Sequence, residues 1–245
     1  TMAELQMKPP RGGFFTPVRV TTLGQATGKA LIMSISLPNG ATLKLATVYG
    51  SAIPITAASN ASPAVLTAAA HGLANGDLVE VTSGWSRINN RIFRVSLSTS
   101  GTFALEGLDT SNTTTYTPGG GVGSVRKIST LTQITQILET TSSGGEMGFT
   151  EVSLLENDFS TQLPTQASAQ SIAISIADDP TLAGFIAVKA AAETRTPRAL
   201  VVTLPNNSII LYNGIVSLDE TPSLTKNSVM AVKSTFSLQG RPVRY

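Results

Sequence analysis

Residues 198–245 read RALVVTLPNNSIILYNGIVSLDETPSLTKNSVMAVKSTFSLQGRPVRY, and this stretch decides the fold class. Arg198 to Leu204 alternates, with Leu200, Val202 and Leu204 on one face. Pro205-Asn206-Asn207-Ser208 follows with turn chemistry, because proline fixes φ and asparagine tolerates the left-handed region. Ile209 to Val216 reads as a second strand and Leu218 to Lys226 as a loop. Val229 to Leu238 alternates again, placing Met230, Val232, Phe236 and Leu238 together. A short basic end, Gly240-Arg241-Pro242-Val243-Arg244-Tyr245, completes the stretch. An antiparallel sheet is expected here.

Working outward, Gln170 to Ala177 has the clearest period of two in the chain. Ile172, Ile174 and Ile176 face one way, and Ser171, Ala173 and Ser175 the other. A helix is expected over about 179–194. Asp178 or Asp179 supplies a cap, and Pro180 stands where a missing N–H costs nothing. Leu182, Phe185, Ile186 and Lys189 or Ala190 form its expected buried face, and Thr196-Pro197 ends it. Upstream, Ala41 to Val48 reads as a strand with Leu43 and Leu45 inward, and Ser124 to Leu138 as another with Val125, Ile128, Ile134 and Ile137 for burial. Ser142 to Gln166 begins at a glycine bend and carries Phe149, Leu154, Leu155 and Phe159 without clean periodicity, so it is expected to project from the fold.

The order strand, Leu204-Pro205-Asn206 turn, strand with Gly214, Thr225-Lys226 loop, last strand and Gly240-Arg241-Pro242 resembles the end of the major tail tube proteins of long, non-contractile, lambda-like phage tails. The helix between the isoleucine strand and Arg198 fits the same pattern. The resemblance covers roughly residues 40–54 and 124–245. It implies a mainly β, sandwich- or barrel-like fold with one flanking helix, in a virion protein made in the bacterial cytoplasm. It further implies stacked hexameric rings that conduct double-stranded DNA during genome ejection. The partners implied are copies of itself, the tape measure, the tail terminator and the distal tail protein. On that reading Phe149, Leu154, Leu155, Phe159, Arg241 and Arg244 meet neighbouring subunits or rings, while Ser171 and Ser175 face the channel. Four strands per subunit would line it, drawn from 125–139, 151–158, 170–177 and one or both of 209–216 and 229–238.

Residues 55–123 read as a separate small all-β unit inserted into the tube domain of residues 33–54 and 124–245. Its short stretches Ile55–Ala58, Ala64–Ala70, Asp77–Ser83, Arg91–Ser98 and Thr102–Leu108 alternate with turns. His71-Gly72-Leu73-Ala74-Asn75-Gly76-Asp77 resembles small β-domains of phage tail proteins, and through them the FCCH domain of ubiquitin-activating enzymes, without any cysteine for ubiquitin chemistry. Asp109 to Gly123 looks too polar to pack. Residues 1–32 carry Lys8, Arg11, Arg19 and Lys29 against Glu4 and read as an extension or docking arm, with Met33 opening a segment that would itself suit the family's start.

Composition agrees with a self-assembling protein. Hydrophobic residues make up 41% of the 245, enough for a core, but charged residues only 13%. That is about half the usual share, so much of the surface is expected to be covered by copies of the chain. The net charge of +2 is too small for a nucleic-acid-binding surface. There is no cysteine, excluding disulfides and thiolate metal sites, and the single histidine, His71, excludes a histidine metal cluster. No metal or cofactor is expected. Asp178-Asp179 is explained by helix capping, Asp219-Glu220 by solvation or pairing with a neighbour, and Gly119-Gly120-Gly121 lacks the lysine and helix of a phosphate loop. No catalytic site is expected. Three other readings stay open: a carbohydrate- or cell-surface-binding protein acting through Trp85 and Phe93 of the small unit, a hydrolase using His71, and a tube of a contractile or secretion system.

Overall fold

The computed structural model describes residues 39–156 and 158–245. The expectations for residues 1–32 and for a start at Met33 lie outside the described residues. Along the chain the elements are β1 (Thr42–Ile55), β2 (Ala57–Ala58), β3 (Ala64–Thr67), β4 (Leu78–Ser83), β5 (Arg91–Ser96), β6 (Thr102–Leu105), β7 (Gly123–Ile134), β8 (Ile137–Ser143), β9 (Met147–Val152), β10 (Thr161–Ala167), β11 (Ser171–Ala177), α1 (Ala183–Thr194), β12 (Arg198–Thr203), β13 (Ile209–Asp219), β14 (Ala231–Leu238) and β15 (Val243–Arg244). The fold is mainly β. One sheet runs β2-β3-β6-β5-β4-β7-β1-β12-β13-β14-β11-β8, with β15 added on β13, and β9 and β10 form a sheet of their own.

The long antiparallel pair β1–β7 is the spine. It runs from Leu43 opposite Ile134 to Ile55 opposite Gly123, with register shifts between Ala46 and Ala52. Such shifts bend a strand and increase its twist, which lets one pair serve two cores. At one end Leu43, Leu45 and Ile134 join Ile172, Ile174, Ile176, Leu200, Val216, Val232 and Phe236 around Phe185, Val188 and Ala191 of α1. At the other, Ile55 and Val125 join Leu66, Val79, Val81, Trp85, Phe93, Phe103 and Leu105. A third cluster, with Ala46, Ile92, Ile128, Ala199, Val201 and Leu211, lies between them. β12 is therefore buried on both faces, and its alternation resolves only half of its burial.

Residues 55–123 do have a core of their own, but β4 pairs with β7 from Val79 opposite Lys127 to Ser83 opposite Gly123. The strands of the small unit thus continue the main sheet. The 109–123 loop also packs, contrary to the reading of it as too polar. Tyr116 is buried edge-on against Trp85, Thr110 Oγ1 donates to Ser59 O, and Trp85 Nε1 donates to Thr117 O at 2.8 Å. Its polar groups are matched locally, and burial becomes affordable once each has a partner.

The helix starts at Ala183, later than expected. Asp179 turns back on Thr181, accepting from its N–H and its hydroxyl at 3.1 and 2.6 Å, and the N-cap position falls to Leu182 with no side-chain cap. The buried face rotates accordingly to Gly184, Phe185, Val188 and Ala191, leaving Ile186 54% exposed. Gly184 is required by close approach, since a Cβ there would lie 2.6 Å from the Gln133 carbonyl of β7. At the far end, Met230 is 48% exposed and precedes β14, where Ser234 takes a buried position between Val232 and Phe236.

Candidate assembly surfaces

β13 changes layers half-way along. Gly214 is opposite both Arg198 of β12 and Leu238 of β14, so these two strands lie on opposite edges of it. Before Gly214 the partners are β12 and, at Ile210 and Leu211, β15; after it the partner is only β14. A Cβ at Gly214 would lie 2.8 Å from Ser237 O, so glycine permits the crossover. The result is a four-strand layer, β13 (second half)-β14-β11-β8, both of whose outer edges lack a strand partner among the described residues. Beside the β13 edge runs an open groove of about 460 Å³ lined by Ala192, Arg195 and Ile215 to Leu218. Beside the β8 edge the core itself is open, through a gap lined by Leu43, Ile172, Leu200, Val202 and Tyr212.

The face of this layer turned away from α1 is built of rows. Ser143, Ser171, Ser237 and Ile215 form one; Thr141, Ala173, Thr235 and Ser217 the next; Glu139, Ser175, Lys233 and Asp219 the third. Ile172, Ile174 and Ile176 are 8%, 0% and 1% exposed on the other side, which puts Ser171 and Ser175 on the non-core face. The rows surround a shallow recess beside Asp219, Thr221 and Ser223. Of the expected strand at Glu151–Asp158 only Glu151 and Val152 belong to one: β9 ends at Val152, and Leu155 and Glu156 lie in a turn on the way to β10.

That hairpin, β9–β10, leaves the layer between β8 and β11. Every side chain of β10 is exposed, and β9 is scarcely more covered. Phe149 (60%), Leu154 (55%), Phe159 (78%) and a fully exposed Leu155 offer apolar surface to solvent. Leu163 and Met147 add to it. By the register, Met147 and Phe149 lie on one face of the hairpin and Leu163 on the other, with Leu154, Leu155 and Phe159 toward its tip. The hairpin carries Glu146, Glu151, Glu156 and Asp158, none of them in an ion pair among the described residues, and no lysine or arginine. A second apolar set, Leu224, Val229 and Met230, is exposed on the β13–β14 loop; three apolar residues in a turn-rich segment were the available signal for it.

Arg241 and Arg244 belong to a C-terminal strap. β15 pairs with β13, Arg91 donates to Arg241 O and Pro242 O, and Tyr245 Oη accepts from the Arg94 N–H and donates to Glu106 O. Both arginine side chains are exposed. A recess of about 370 Å³ between Arg87, Arg91 and Arg241 adjoins the strap.

Where the small unit meets the main sheet, Glu80 is buried and accepts from both Arg126 Nε (3.0 Å) and Nη2. Asn213 Nδ2 donates to Glu80 Oε1 at 3.1 Å and to Asn90 O. Arg126 and Arg198 both lie over the ring of Tyr49 at this junction, 4.8 and 5.7 Å from its centre, and Tyr49 Oη accepts from the Ala199 N–H at 2.7 Å. Burial, opposed by that bond, pushes Tyr49 up to about 12. A phenol ordinarily titrates near pH 10, so the folded state holds this proton more tightly than the unfolded one. The contribution is complete below about pH 10 and is lost as pH rises through about 12, on the order of 2–3 kcal/mol. Tyr49→Phe should flatten this alkaline decline in urea unfolding between pH 9 and 11.5; equal declines in the two proteins would contradict the assignment.

His71 is buried with Nδ1 accepting from the Leu73 N–H and its ring edge-on to Phe103, so it closes a turn. Trp85 and Phe93 are 3% and 2% exposed and form core, leaving no aromatic sugar-binding face between them.

The phage tail tube protein family model matches residues 83–245. The chain belongs to that family. No curated protein matches the sequence. As a tail tube protein it is a structural component of the virion tail, a role of self-assembly together with other tail components. The match begins at the end of β4, so β5, β6 and the packed 109–123 loop of this tail tube protein fall inside it, beyond the extent of the resemblance read from sequence.

Proposed function

We propose that this protein forms hexameric rings stacked into the tube of a long, non-contractile, lambda-like tail, through which double-stranded DNA passes at ejection. The observation that carries this reading is the four-strand layer with two unpartnered edges and a face of Ser, Thr and Ala. Exposed strand edges recruit further strands. The β8 edge of one copy fits along the Ile215–Leu218 groove of the next, and repetition around a ring closes a continuous barrel with no edge left. The same contact covers the open gap beside β8.

The small-residue face then lines the channel, with Ser171 and Ser175 in it. Its charges are Glu139, Lys233 and Asp219, one negative in excess. Such a wall gives phosphate no lasting contact. Phe149, Leu154, Leu155 and Phe159 meet the adjacent ring, and Arg241 and Arg244 contact neighbouring subunits. Residues 55–123 form an inserted β-domain facing outward, since the channel cannot hold both it and DNA. The protein works without catalysis or cofactor, with tape measure, terminator and distal tail proteins at its ends, after synthesis in the bacterial cytoplasm.

Electron microscopy of the purified protein should show tubes, with a gold label on Ser100→Cys along their outer surface. In virions, Ser171→Arg with Ser175→Arg should slow DNA ejection at least about tenfold by adding phosphate contacts in every ring, while tubes still assemble. Unchanged ejection from assembled double-mutant virions would overturn the channel assignment.

A further inference from the structure

The hairpin and the second apolar loop leave opposite ends of the same strands. Ser143 of β8 and Ser237 of β14 both lie opposite Ser171, and the hairpin is inserted between Ser143 and Ser171. At the other end Ala177 lies opposite Ala231, and the Thr221–Met230 loop enters β14 there. At about 3.3 Å per residue, β11 separates the two by roughly 20 Å.

If the edges of the layer join copies sideways, the strand ends point toward the tube's two openings, because barrel strands tilt only about 35–45° from the axis. Each copy then presents its hairpin at one opening and its loop at the other. Resting on the stacked-ring reading above, we infer that the hairpin tip of one copy docks on the Thr221–Met230 loop of the copy stacked next to it. Leu154, Leu155 and Phe159 meet Leu224, Val229 and Met230, all exposed in the single chain. The charges complement as well. Glu156 and Asp158 stand at the tip, Lys226 in the loop, and none of the three has an ion-pair partner among the described residues. The arginine recess of Arg87, Arg91 and Arg241 also complements the hairpin, but it adjoins Gln239 and Gly240 at the end from which the hairpin leaves. A stacked copy would present it on the wrong side. The contact joins two different surfaces, so it gives the tube a direction and propagates without closing.

The absence of cysteine makes this directly testable. Leu155→Cys with Leu224→Cys, assembled and then oxidised, should give a ladder of disulfide-linked chains on a non-reducing gel extending well past the size of one ring. Both positions are solvent-exposed, so the subunit should fold normally. Lys226→Glu should slow tube elongation about tenfold, and adding Glu156→Lys should restore it. Normal tubes with no cross-link, or cross-linked species that stop at ring size, would overturn this pairing and leave the stacked-ring reading standing. Failure of the unsubstituted chain to form tubes would overturn both.

Discussion

Tubes should be lost when Phe149, Leu155 and Phe159 are replaced together by serine. In the single chain these side chains are 60% exposed, fully exposed and 78% exposed, so removing them takes nothing from either core. The thermal midpoint of the isolated subunit should therefore stay within a few degrees of the parent. In a stacked tube each would be covered, and burying a large apolar side chain stabilises by about 1.5–3 kcal/mol. Losing three per subunit removes on the order of 4–9 kcal/mol from each contact. At 1.4 kcal/mol per tenfold, association weakens by at least about a thousandfold. Sedimentation and electron microscopy at matched concentrations measure this. Tubes of ordinary length from the triple variant would show that the hairpin is not the stacking surface. The hairpin can be exposed in this way because it pairs only with itself: β9 and β10 make a two-stranded sheet, and two strands alone cannot bury both faces.

Arg126→Met should destabilise the fold by about 3 kcal/mol, the scale expected when one partner of a buried ion pair is removed. Glu80 retains 6% of its side-chain exposure, whereas Arg126 keeps 44%. The change therefore strands the carboxylate, with Asn213 as its remaining side-chain donor. Methionine keeps the first carbons of the arginine stem but removes the guanidinium that lies over Tyr49, so the loss combines the stranded carboxylate with that cation–π contact. For a chain of this size the thermal midpoint should fall by roughly 6–12 °C. Adding Glu80→Gln should recover more than half of the loss, because a neutral amide still accepts from Asn213 and no longer needs a cation. A cost below about 1 kcal/mol for Arg126→Met would mean that the pair does not hold the small unit to the main sheet.

Neither effect could be read from local sequence to the same degree. Phe149, Leu154, Leu155 and Phe159 stood out because they break the polar run of Ser142 to Gln166 without a period that would bury them. Their projection was legible; the hairpin was not, since its strands hold Pro164 and Gly148 and alternate on no face. Glu80 gave no signal. It sits between Val79 and Val81, and its partners Arg126 and Asn213 lie 46 and 133 residues away. Likewise Asp178-Asp179 carried a sound capping signature, yet Asp179 bonds Thr181 and the helix begins at Ala183. A cap is a competition between nearby N–H donors, and sequence names the acceptor without naming the winner.

Periodicity by itself determined the mainly β class and the isoleucine face of β11, helical spacing between Pro180 and Thr196-Pro197 marked the single described helix, and the motifs Leu204-Pro205-Asn206, Gly214, Thr225-Lys226 and Gly240-Arg241-Pro242 carried the resemblance to the tail tube family. Those features depend on spacing along the chain, and spacing is what a sequence records. Only the tertiary structure decided that β4 continues the sheet through β7, that β13 passes between layers at Gly214, and that β8 and the second half of β13 keep an open edge. Edge and centre strands carry the same alternation, because side chains report which face is covered. The backbone N–H and C=O groups that distinguish an edge point sideways and are identical at every residue, so their pairing is settled by which distant strand arrives beside them.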